Sequence, residues 1–139
     1  MGWIIYAFLS AVFAALVAIL GKIGVKNVDT TLSTTIRSLV MAGFLVATTI
    51  LLGKSHGISG IDKRSLLFIF FSGIAGALSW LFYFVALKNG PAAGVAALDR
   101  LSVVFVAVFA ALLLREPFTA KTLLGISFIT FGAFLMIGK

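Results

Sequence analysis

The chain has 139 residues, 62% of them hydrophobic and 11% charged, with a mean hydropathy of +1.23. That balance excludes a soluble globular core and defines an integral membrane protein of a single domain, residues 1–139. The net charge of +7 does not imply nucleic acid, because the bases stand singly at the ends of apolar runs with no aromatic-interleaved patch; the lack of cysteine removes disulfides and thiolate metal sites.

A helix crossing a hydrocarbon core of about 30 Å needs roughly 20 residues. Five apolar runs approach or meet that: Trp3 to Leu20, Thr31 to Leu52, Ser65 to Leu87, Pro91 to Leu114 and Phe118 to Ile137. They are too long and too uniformly apolar for barrel strands, so the expected fold is an all-α integral membrane protein, a five-transmembrane-helix bundle. The first run has no basic region before it and no small-residue cleavage site, and reads as a retained anchor. Asp29, Asp62 and Glu116 precede the second, third and fifth runs, where a carboxylate caps orphan N–H groups and meets the positive end of the helix dipole. Pro91 and Pro117 suit a first helical position. Lys22, Lys26, Lys54, Lys88, Arg115 and Lys139 follow the C-terminal ends and complement the negative poles. The longest connection, Gly53 to Arg64, takes its turns from Gly53, Gly57 and Gly60. Rows of small residues (Ser10, Ala14 and Ala18; Ser72 and Gly76; Gly125 and Gly132) are expected to be packing faces. His56 reads as a solvated loop residue. No metal ligand set, cofactor motif or catalytic constellation stands out, so an enzyme is not expected; proton or ion coupling stays open.

Three charges have no helix end to explain them: Arg37, Asp99 and Arg100. Arg37 lies about 9 Å beyond Thr31 and Asp99 about 12 Å beyond Pro91 at 1.5 Å per residue. The two helices start from one membrane face, which makes an Asp99 to Arg37 pair geometrically plausible. A short carboxylate at that depth cannot reach headgroup water, whereas an arginine can snorkel. Helical spacing groups Asp99 with Ala92, Ala96, Ser102 and Val106, and Arg100 with Ala93, Ala97, Val104, Ala107 and Ala111; Leu98, Leu101, Phe105, Phe109 and Leu112 fall opposite. Small residues admit a neighbouring helix and bulky ones suit lipid, so Asp99 and Arg100 are expected to point into the bundle. The third helix brings Ser79, Trp80 and Tyr83 to the same layer. The candidate substrate-binding or coupling residues are therefore Asp99, Arg37, Arg100, Ser79, Trp80 and Tyr83. Each also has a structural reading: a buried ion pair that fixes register, snorkelling arginines, and aromatic packing.

Lys54, Lys63, Arg64, Arg115 and Lys121 fall on the side of the N-terminus, against Lys22, Lys26, Lys88 and Lys139 on the other; five against four barely biases orientation. Two copies inserted in opposite senses would imitate the inverted repeats of larger transporters. The order and spacing of Thr35-Ile36-Arg37, Tyr83-Phe84-Val85-Ala86-Leu87, and Glu116-Pro117-Phe118-Thr119 followed by Gly125 and Gly132 resemble one EamA domain of the drug/metabolite transporter superfamily. Most members carry two such domains in ten helices; this chain resembles the single-domain branch, one half of an EamA-type inverted-repeat transporter. It departs from the family pattern at Ser102, where many members have proline, and at Arg115, where glycine usually precedes the glutamate. The resemblance implies a multi-pass protein of the inner (cell) membrane of a bacterium or archaeon. It also implies alternating-access movement, commonly export, of a small-molecule substrate; the near-equal charge count adds a homodimer, possibly antiparallel, as the expected working unit. The residues by themselves reach that class by elimination and leave open a non-transporting accessory or scaffold subunit. The expected partners are the lipid bilayer, a small metabolite and a second copy, with no nucleic acid.

Overall fold

The computed structural model describes residues 2–137; Lys139, counted above among the helix-end cations, lies outside them. The helices are α1 (Gly2–Gly24), α2 (Thr30–Leu51), α3 (Lys63–Asn89), α4 (Ala92–Asp99), α5 (Ser102–Leu113) and α6 (Ala120–Leu135), with a 3₁₀ segment Lys54–Gly60 between α2 and α3. No strand occurs among the described residues. α1, α2, α3 and the stretch Ala92–Leu113 are each long and apolar enough to cross a membrane. α6, with 16 residues, is about 24 Å long and is the shortest of the five expected spans.

The caps explain where the helices start. Asp29 accepts from the Leu32 N–H at 3.0 Å and Asp62 from the Ser65 N–H at 3.0 Å, as their positions in the sequence lead one to expect. These bonds, with the Ser65 side chain adding the largest share at Asp62, hold both carboxyls below the usual carboxylate range. Glu116 does not do the same for α6. The residue that caps it is Thr119, in extended backbone, which accepts from the Thr122 N–H at 3.2 Å, so the helix begins two residues later than expected and Pro117 lies in the connection before it. Inside α2 the hydroxyls of Thr34, Thr35, Ser38, Thr48 and Thr49 each donate to the carbonyl four residues back, which removes their need for water within the span.

The run Pro91 to Leu114 is not one continuous helix. It breaks at Arg100 and Leu101, where the Leu101, Val103 and Val104 N–H groups turn to the carbonyls three residues back (Leu98, Arg100 and Leu101). There is no proline or glycine at the break; Asp99 and Ser102, both weak helix formers, flank it. After α5, Arg115 adopts a left-handed conformation with φ of 56°, which a glycine would take at no steric cost.

The contacts divide the chain into two units: residues 22–88, holding the end of α1, α2 and α3; and the rest of α1 with α4, α5 and α6. In the first, Val25, Thr34, Phe84 and Leu87 are buried. Its ends are tied by lysines: Lys22 donates to the Leu87 carbonyl and, at 3.4 Å, to that of Lys88, while Lys88 donates to the Val28 carbonyl at 3.0 Å. Lys22, in the last turn of α1, thus also closes the end of α3. In the second unit Ala18, Gly94 and Ala133 are buried. A Cβ on Gly94 would stand 3.3 Å from the Pro91 ring and 3.5 Å from the Met136 carbonyl, so the close approach of α4 to the end of α6 rests on this glycine. Gly76, Gly125 and Gly132, expected at packing faces, have no such neighbour. Most other large apolar side chains face outward, Trp3, Phe44, Phe82 and Phe128 among them, which suits a chain whose solvent is lipid.

Candidate functional site

In the unit of residues 22–88 the Arg37 guanidinium carbon lies 3.6 Å from the centre of the Trp80 ring and 5.5 Å from that of Phe84. The ring of Trp80 meets Tyr83 edge-on at 5.5 Å and Phe84 at 6.0 Å, and Tyr83 meets Phe84 at 6.3 Å. Phe84 is buried and fixes the wall; Arg37, Trp80 and Tyr83 are half-buried. Desolvated cation–π contacts of this kind are worth about 2 kcal/mol. Arg37 therefore spends its side chain on an aromatic face instead of extending it to the end of α2. The contact leaves one nitrogen unserved: Nη1 is buried and has no hydrogen-bond partner among the described residues. Ser79 sits beside Trp80 on α3 but is exposed and points away from it, as adjacent helical residues do. Phe84 was not singled out by the sequence; its spacing of four from Trp80, one turn along the same face, is the signal that could have found it.

Asp99 is the last residue of α4 and Arg100 the first of the break. Both are exposed in the single chain, so neither is enclosed by the packing of its own helices as the wheel suggested. The residues grouped with them divide: Ala92, Ala96, Ala97, Val104, Ala107 and Ala111 are half-buried, but Ala93, Ser102 and Val106 are exposed; on the opposite side Leu98, Phe105, Phe109 and Leu112 face outward and Leu101 is half-buried. Asp99 completes α4 and the three-residue hydrogen bonds follow it, so one continuous wheel does not describe both sides of the break. Arg37 belongs to one unit and Asp99 and Arg100 to the other. Among the described residues there is no group of three His, Cys, Asp or Glu side chains able to hold a metal ion.

An all-helical chain with apolar spans, an interrupted fourth span and intramembrane arginine and aspartate has the build of a membrane transport protein. The chain belongs to the EamA-like transporter family, whose pattern it matches over residues 1–138. It is 43% identical over 134 residues, 96% of this chain and 95% of the other, to a protein of Sinorhizobium sp. named as an uncharacterized transporter in the cobO 3′ region. No solved structure matches it. The protein is a multi-pass membrane transporter.

Proposed function

We propose that this transporter exports a small metabolite across the inner membrane of its bacterial or archaeal cell by alternating access, that it works as a homodimer whose copies can insert antiparallel, and that Asp99 is its binding or coupling residue. The observation that carries this is the interruption of the fourth span at Asp99 and Arg100. Broken helices at membrane depth occur where backbone and charge line a cavity, and transporters place substrate and coupling-ion sites there. A second copy supports the same reading: a carboxylate and a guanidinium exposed on one chain in mid-span need cover or water, which a facing copy can enclose. Asp99 is also the one acidic residue that lies inside an apolar run of the sequence, and a carboxylate there can trade a counterion for a proton or a substrate group. The near balance of basic residues on the two sides supports opposed insertion.

The test is flux by the purified protein alone. Compounds that raise the thermal unfolding midpoint, as any ligand of the native state does, are taken as substrates into counterflow in liposomes. Uptake by the protein without any other subunit is expected. Thermal stabilisation without flux would instead support the accessory-subunit reading, in which the intramembrane charges only order the bundle.

A further inference from the structure

We infer that Arg37 on its aromatic platform is a receptor for a carboxylate group of the transported molecule, so that the substrate class is small organic acids and zwitterions, not cations. This rests on the transport reading for what the ligand is. The guanidinium is held through the face of Trp80 at 3.6 Å, a contact that uses none of its N–H groups, and Nη1 is buried with no acceptor among the described residues. A buried donor left unmade costs the desolvation of that group, more when it is charged, so an acceptor is the missing component. Its own unit does not supply one: the carboxylates of residues 22–88 are Asp29 and Asp62, and each is occupied at the start of a helix. Arginine offers a planar fork that matches a carboxylate with two parallel N–H···O bonds, and stacking leaves the edge of that fork usable.

The surroundings select the rest of the ligand. Trp80, Tyr83 and Phe84 make an apolar wall around the charge, which suits an organic anion better than a strongly hydrated inorganic one. Trp80 is then the specificity residue of the site: it holds Arg37 when no ligand is bound and shapes the space beside it.

The chain has two tryptophans, so Trp3→Phe leaves Trp80 as the only one. That variant, in lipid nanodiscs at constant ionic strength set with chloride, is titrated with acetate, benzoate and succinate and with the matched acetamide, benzamide and succinamide. A saturable change in Trp80 emission is expected for at least one carboxylate, at a concentration about tenfold or more below its amide, as a charge-assisted bond requires. Arg37→Gln should abolish the difference between acid and amide, and Arg37→Lys should keep part of it. Equal responses to acid and amide, no response to any of the three acids, or an unaltered response in Arg37→Gln would overturn the assignment. Where Arg37→Gln does not fold, Arg37→Lys and the acid-against-amide comparison on the parental arginine decide. Transport of a cation by a protein whose Trp80 ignores all three acids overturns the carboxylate receptor and leaves the transport reading standing. Carboxylate binding without counterflow supports the receptor and removes that reading.

Discussion

Arg37 shows what a sequence can and cannot say about one residue. Its depth in the second helix was legible from simple counting, and so was the arrival of Trp80 and Tyr83 in the third. Its actual partner was not, because a carboxylate is the obvious mate for a buried arginine and an aromatic face competes only once the rotamers are known. Trp80→Leu is expected to lower stability by about 2 to 4 kcal/mol, from the lost cation–π contact and the space left behind, whereas Trp80→Phe should lose less; thermal unfolding in detergent measures both. Lys22→Met removes a charged donor from the end of α3 and should cost about 1.5 to 3 kcal/mol by the same assay. Asp29 and Asp62 set an acid limit. Their folded-state carboxyls titrate below the unfolded value, so the stability they contribute is present above about pH 4 and is lost as pH falls through the depressed folded values. Asp29→Asn with Asp62→Asn should therefore flatten the acid arm of the unfolding-midpoint profile.

At the scale of elements, the apolar runs gave all the helical spans, with α1 running on to Gly24, α2 displaced by one residue, α3 longer by two residues at each end and α6 shorter by two at each end. Hydropathy reads burial in lipid and is blind to a change from four-residue to three-residue hydrogen bonding, which is why the fourth span looked continuous. The end of α5 was partly written in the chain: Glu116-Pro117 marked the approach of a turn, and Arg115 before it takes a left-handed φ of 56°. Arg115→Gly is expected to raise stability by about 1 kcal/mol, since glycine takes that conformation without steric cost. Its unfolding midpoint should rise; an unchanged or lower value would mean the arginine side chain compensates for its backbone. Gly94 is the packing counterpart. Gly94→Ala meets the Pro91 ring at a tight 3.3 Å and should cost little, whereas Gly94→Leu must push against the Met136 carbonyl and should cost about 1 to 3 kcal/mol.

For the whole molecule, class and family were legible, because composition and five long apolar runs leave few alternatives to a helical membrane protein. The surroundings of Asp99 and Arg100 were not, since both are exposed in the single chain and not enclosed by its own helices. If insertion is balanced, a pair of lysines added to either side should shift the orientation reported by a C-terminal fusion; an orientation that ignores such additions favours a parallel oligomer. The central claim is that Asp99, at the broken fourth span, binds the substrate or couples its movement. The most direct measurement is counterflow of a verified substrate by Asp99→Asn in liposomes across a range of pH, beside the parental protein. The substitution keeps the shape and removes the charge, so a folded variant with flux lost or no longer pH-sensitive is predicted. Transport at the parental rate and with the parental pH dependence would contradict it.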